Sequence, residues 1–309
     1  MLRILFFSFL LLQCGCQKDT LHRETQVLMG TFVEVVSPDE RALNIVFAEI
    51  RRIDMMMSNY LPNSEVSELN KNGQIKASPE IFFILEKSRD FWEFSGGAFD
   101  ITVGPLMDIW GFTDKNFRQP SEAEIKNALG VVGMNKIILN NRGYVVKFMI
   151  PGMRIDLGAI AKGYAVDCAV KKLKEARIKS CLINLGGQIY GVGSNNLRPW
   201  KVAVQDPRGN GFKGYLELKN QSVATSGDYE QYFEKDNRRF SHIMNPRTGY
   251  PEDSAVISAT VIADDGLTAD ALATAIVVMG KEKGLELANK FPGVKTKIIE
   301  RADKQNAFE

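Results

Sequence analysis

Asp270 and Thr274 stand four residues apart in the run ADALATA, residues 269–275. On an α-helix that spacing stacks a carboxylate and a hydroxyl on one face. The surrounding run is apolar, and hard oxygen donors placed this way suit a magnesium ion that keeps positions open for phosphate oxygens. The same residues also read as a helix start, with Thr268 as N-cap and Asp270 in the first turn, where the helix dipole favours a negative charge.

Other polar clusters carry chemistry of a compatible kind. The segment DLGAIAKGYA, beginning at Asp156, puts a carboxylate at a strand end and Lys162 one turn into a helix, with a glycine on each side. Backbone can approach a ligand there; a free carbonyl can ligate a metal without adding charge, and the lysine can reach an anion. The alternative is a tight strand-to-helix turn with a solvated lysine. GGAFD, residues 96–100, reads either as an exposed aromatic and acid at a ligand or as a plain glycine helix end. Tyr60 stands just beyond a helix, placed to stack on a planar ring or to cover the core. His242 is one of only two histidines and is followed by Asn245-Pro246-Arg247-Thr248-Gly249, a turn that holds it rigidly. The glycine-rich run 185–193 lacks the spacing of a dinucleotide fingerprint and is not followed by a helix, which excludes a Rossmann reading.

The elements that must position these groups follow from periodicity. Residues 29–36 alternate as a strand, and Leu43, Val46, Phe47, Ile50 and Ile53 recur at helical spacing within 43–57. Ser78-Pro79-Glu80 opens a helix that Gly96-Gly97 closes, and Ser121 with Glu124 forms a capping box. Residues 155–157 read as a strand end and 159–176 as a helix. Strands are expected at 180–190, 200–205, 215–218, 223–225, 255–263 and 294–300. Helices between groups of strands, without strict β–α alternation, predict an α+β fold with largely antiparallel sheet.

The N-terminus points to a compartment. Met1-Leu2-Arg3 precedes an apolar run too short to span a bilayer, as in a secretion signal. Leu11-Leu12-Gln13-Cys14-Gly15-Cys16 resembles a bacterial lipobox, with Cys16 the better lipidation candidate and Cys14 the alternative. The expected organisation is a lipoprotein signal peptide over 1–15, a tether over 16–25 and one domain over 26–309, held to a membrane by a lipid anchor. Cys168 and Cys181 read as core thiols rather than a disulfide. A net charge of +2 over 309 residues gives a nucleic-acid partner no electrostatic support.

Met29-Gly30-Thr31, SNYLPNSEVSELN (58–70), GGAFD, DLGAIAKGYAVD (156–167), NLGG (184–187), SHIMNPRTGYP (241–251) and ADALATA occur in the order found in the ApbE family, which the chain resembles over nearly its whole mature length. The resemblance implies two T-fold-like halves with FAD, the flavin substrate, held between them. It implies FAD contacts from Met29, Tyr60, Ala98, Phe99, Asp100, Asp156, Lys162, Ser241, His242 and Ile243. It implies Mg2+ bound by the Ala159 carbonyl, Asp270 and Thr274. The implied reaction moves FMN from FAD onto a threonine of a target flavoprotein and releases AMP. His242 or a nearby aspartate would act as base, and Lys162 would neutralise phosphate charge. The implied partners are subunits of membrane redox complexes of the sodium-translocating NADH:quinone oxidoreductase type, met by an inner-membrane lipoprotein facing the periplasm. Two other readings use similar residues: a magnesium-dependent FAD pyrophosphatase, and a non-catalytic flavin-binding lipoprotein.

Overall fold

A computed structural model describes residues 20–209 and 211–301. The signal peptide and both lipidation candidates, Cys14 and Cys16, lie outside the described residues. The strand β1 (His22–Leu28) turns through Met29-Gly30 into β2 (Thr31–Ser37), so the last residues expected of the tether already belong to the folded unit.

The next stretch is helical. α1 (Arg41–Met57) buries the side that its apolar spacing predicted, with Val46, Ile50 and Ile53 fully enclosed. α2 (Glu65–Asn72) is capped by Ser64, whose hydroxyl accepts from Ser67 N at 2.9 Å. After the short β3 (Gln74–Lys76), α3 (Pro79–Phe94) begins with Ser78 as cap and proline in its first turn. α4 (Gly104–Ile109) and α5 (Glu122–Gly130) follow, the latter with the anticipated Ser121–Glu124 capping box. β4 (Ile137–Asn140) and β5 (Val145–Phe148) join β3 in a three-stranded sheet.

α6 (Ala161–Glu175) leads to β6 (Ser180–Leu185) and β7 (Gln188–Gly193). Residues 180–190, expected as one strand, are instead two strands of a hairpin. The reason is Gly186-Gly187, both at positive φ (56° and 92°), which build the tight two-residue turn that matches strand twist. β8 (Trp200–Gln205) and β9 (Phe212–Leu218) form a separate two-stranded ribbon. β10 (Gln221–Gly227), the ribbon of β11 (Tyr232–Lys235) with β12 (Arg238–Ser241), and β13 (Val256–Ala263) precede α7 (Gly266–Met279), α8 (Lys281–Ala288) and β14 (Lys295–Glu300).

Seven strands in the order β1-β2-β6-β7-β10-β13-β14 make the main sheet, and every ladder between named strands is antiparallel, as an α+β chain requires. α6 packs between α1 and α7, all three lie on this sheet, and their shared interior forms the principal core. A satellite core gathers Leu106, Trp110, Phe112 and Phe240 beneath α4 and α5. Residues 155–157, expected as a strand end, pair with no strand. Asp156 N donates instead to Ile101 O at 2.7 Å, pinning the segment beside the 98–103 loop. Cys168 and Cys181 are free thiols, and burial pushes them up to about 11 and about 12.

Candidate functional site

The chemistry converges where α6 and α7 cross. Asp270 is 4% exposed, in the second turn of a helix that is apolar on nearly every side. Thr268 is not the N-cap expected from sequence. Asp265 takes that position, because its carboxylate accepts from Thr268 N at 2.8 Å. Burial raises the Asp270 carboxyl, while the nearby Lys162 ammonium and a hydrogen bond from Gly163 N (2.9 Å) oppose that rise.

Gly163 is the third residue of α6, so its N–H is one of the donors that a helix start leaves without an intrahelical acceptor, and Asp270 takes it. Ala159 lies just before the helix, where its carbonyl is not used by the helical ladder, and it lines the cleft. The close crossing depends on two glycines: a Cβ on Gly163 would collide with the Gly266 carbonyl oxygen, and a Cβ on Gly266 with that of Gly163. Asp167, one turn further along α6, accepts from Gly266 N (2.6 Å) and Leu267 N (2.9 Å), clamping the start of α7. Burial pushes its carboxyl up to about 7 against those two hydrogen bonds.

Thr274 Oγ1 lies 3.1 Å from Ser226 Oγ on β10. A second hydroxyl pair, Thr225 with Thr260 at 2.9 Å, continues the polar tier across β10 and β13. All four residues line the cleft. The sequence reading missed Thr225, Ser226 and Thr260. Their signal was the hydroxyl-rich strand ends, which carry no meaning until the two strands are known to pair.

The cleft holds about 1740 Å³, above the roughly 300–1,000 Å³ of an ordinary small-molecule pocket, so a dinucleotide fits in it. Met29, Tyr60, Ala98, Phe99, Asp100, Asp156, Ala159, Lys162, His242, Ile243, Asp270 and Thr274 line it. Ser241 is buried in β12 and is not among the lining residues. Tyr60 is 69% exposed at the rim, its loop held by Ser58 Oγ accepting from Tyr60 N at 3.1 Å. Met29 sits at φ 51°, with its N–H donated to Asp54 Oδ2 at 2.9 Å.

The GGAFD loop differs in detail from expectation. Phe99 is not exposed; it packs against Phe91 and is 1% accessible. Asp100 is occupied in holding its own turn, accepting from Thr102 N (2.8 Å) and Thr102 Oγ1 (2.5 Å). Its other carboxylate oxygen accepts from Met134 N at 3.3 Å, so Asp100 ties the loop to the segment after α5 while lining the cleft. Asp156 accepts from Gly158 N at 2.7 Å, and burial raises its carboxyl.

His242 follows β12. Its backbone N–H and its Nδ1 both meet Gln231 O, at 3.0 and 3.2 Å. A neutral ring donating through Nδ1 leaves Nε2 as a lone pair. The surrounding protein and then the Lys162 ammonium press the imidazole pKa down to about 4. Glu230, also unanticipated, lines the same cleft; its surroundings and the Asp270 charge lift it to about 7, opposed by Lys162. No spacing pattern could have marked it, since only the fold brings its loop opposite α6. Among the described residues Lys162 forms no ion pair or hydrogen bond, so its charge acts on Asp270, Glu230 and His242 through space.

Comparison with known proteins gives a consistent result. A family model described as the ApbE family matches residues 29–298. The FAD:protein FMN transferase of Haemophilus influenzae is 32% identical over 300 residues, covering 89% of this chain and 86% of the relative. The protein of the same description from Treponema pallidum is 33% identical over 304 residues, covering 90% and 84%. The crystal structure of the ApbE protein from Thermotoga maritima superposes with a TM-score of 0.84 at 34% identity, covering 91% of this chain and 94% of that one. The flavin transferase ApbE from Vibrio cholerae gives 0.82 at 27% identity, covering 92% and 94%.

Proposed function

The chain belongs to the ApbE family, and on that premise we propose that it is a magnesium-dependent FAD:protein FMN transferase that esterifies a threonine of a target flavoprotein. The observation that carries the metal reading is the hydrogen bond from Gly163 N–H to Asp270, which fixes a buried carboxylate at the start of α6, beside the Ala159 carbonyl that precedes the helix. With Thr274 these donors are one carboxylate, one carbonyl and one hydroxyl. Among the described residues no group of three or more His, Cys, Asp or Glu forms a metal cluster, and this site is of another kind. Its single negative charge leaves a divalent cation underneutralised and receptive to pyrophosphate oxygens. Bound magnesium would supply charge neutralisation on the phosphates of FAD.

The residues of the chain do the rest. Tyr60 at the rim and residues 98–100 hold the flavin end, and Lys162 draws the phosphates as a point charge. His242 Nε2 takes the proton of the acceptor hydroxyl, whose oxygen forms a bond to the FMN-side phosphorus. The bond from that phosphorus to the bridging oxygen breaks, and AMP leaves with the electron pair. The acceptor belongs to a membrane redox complex of the sodium-translocating NADH:quinone oxidoreductase type, and lipidated Cys16 holds the enzyme at the inner membrane facing the periplasm.

The test mixes the protein with FAD, magnesium and candidate acceptor subunits, reading AMP release and flavin fluorescence on the denatured acceptor. Fluorescence that requires magnesium and is lost in Asp270→Ala is the expected result. AMP without a labelled acceptor would make the protein an FAD pyrophosphatase, and neither product would leave a flavin-binding protein.

A further inference from the structure

One wall of the cleft is a β-ribbon that the mechanism above leaves unused. Val202, Ala203, Val204 and Gln205 of β8 line the cavity, together with Phe212 and Leu216 of β9. Successive strand residues point to opposite faces, so the cavity borders β8 on both faces over four residues. β8 pairs only with β9, in a ribbon outside the main sheet. Among the described residues its backbone hydrogen bonds run to β9 alone, so alternate peptide groups on the other edge of β8 have no strand partner. The register shift of the ribbon falls on β9, where Lys213 is passed over, so β8 itself runs without interruption from Trp200 to Gln205.

We propose that β8 is the docking edge for the acceptor protein, whose threonine-bearing segment adds to it as an extended strand. This rests on the transferase reading of the cleft. The occupant follows from the chemistry: a transferase acting on a protein must bring a stretch of foreign chain into the cavity that holds Asp270, Thr274 and His242, and β8 is a wall of that same cavity. An edge strand binds backbone whatever the side chains, and the strand period then directs every second acceptor residue to one side. A threonine held in that register presents its hydroxyl in one direction, with its neighbours turned away.

The experiment uses the complete protein with FAD and magnesium and the acceptor subunit that the transfer assay labels, carrying its acceptor threonine replaced by valine to stop turnover. Amide hydrogen exchange is read at single-residue resolution. The expected result is that alternate amides between Trp200 and Gln205 slow by at least about tenfold on adding the acceptor, and that acceptor amides flanking the valine slow with the same alternation. Three outcomes overturn the proposal. Protection of β8 by FAD and magnesium alone would assign the edge to the nucleotide. Acceptor binding with unchanged β8 exchange would place docking elsewhere. Failure of every acceptor to be labelled would remove the transferase reading and this proposal together, and is recognised by the absence of flavin fluorescence on any band.

Discussion

Asp270→Asn keeps the shape of the side chain and one acceptor for Gly163 N–H, but removes the charge. The variant is expected to fold and to need at least about tenfold more magnesium for AMP release, the scale on which altered metal shells act. Titration of activity against magnesium checks it; an unchanged midpoint would take Asp270 out of the metal site. For His242, a pKa near 4 means the lone pair persists through mildly acid solution. The acid limb of kcat/KM is therefore expected near pH 4 rather than at the 6.5 of an unperturbed imidazole, and His242→Asn should lower activity about 100-fold or more above that limb, with the deficit shrinking below it. Asp270 and Thr274 were legible in the sequence because a helix turns four residues of spacing into adjacency. Glu230 and Ser226 were not, since their nearness to Lys162 and Thr274 exists only after distant segments pack.

At the scale of elements, α6 and α7 are fastened by three devices: the Gly163–Gly266 contact, the Gly163–Asp270 hydrogen bond and the Asp167 clamp. Gly163→Ala must part the helices. It is expected to cost on the order of 1–3 kcal/mol, as overpacking does, seen as a drop of several degrees in Tm together with a weakened response to magnesium. Loss of stability with full magnesium affinity would show that the crossing does not aim Asp270. Asp167 gives a pH signature. Its carboxyl is lifted from 3.8 to about 7, so the folded state holds the proton more tightly than the unfolded one. Its contribution is complete below about pH 4 and is lost as pH rises through about 7. Asp167→Asn cannot titrate, so its Tm should fall less between pH 5 and pH 8 than that of the unaltered protein, measured by calorimetry. Helix α1, the Ser121–Glu124 capping box and most sheet strands could be read from period and caps. The 180–190 hairpin was misread because a glycine pair inside an apolar run marks a turn only through its positive φ. Residues 155–157 have strand composition, yet the Asn70 side chain takes both backbone groups of Ile155 and Ile101 O takes Asp156 N, so no neighbouring strand pairs with them.

For the molecule as a whole, the sheet carries the cleft on a framework that begins at β1, close behind the N-terminal segment. Among the described residues no helix is long and apolar enough to cross a membrane, and the proposed attachment rests on Cys16. Cys16→Ser is expected to move the protein from the membrane to the soluble fraction while leaving flavin transfer to a soluble acceptor intact. Detergent phase partitioning reads the first effect and acceptor fluorescence the second; membrane retention would transfer the anchor to another residue, Cys14 first. The α+β class and antiparallel sheet were legible in the grouping of strands. The separation of the β8–β9 ribbon from the main sheet was not, because strand patterning says nothing about which strands pair.

The tier of Thr225, Ser226, Thr260 and Thr274 sets a problem of self-recognition. A catalyst whose proposed chemistry esterifies threonine carries these three threonines, with Thr31 as a fourth, in the wall of its own reaction chamber. Each hydroxyl of the tier is held in a pair with another. Strand and helix backbone fix the positions from which these four hydroxyls project. On the proposed mechanism the visiting threonine would be distinguished by freedom of approach rather than by reactivity, and resistance of the enzyme to its own labelling would follow from the fixed geometry of that wall.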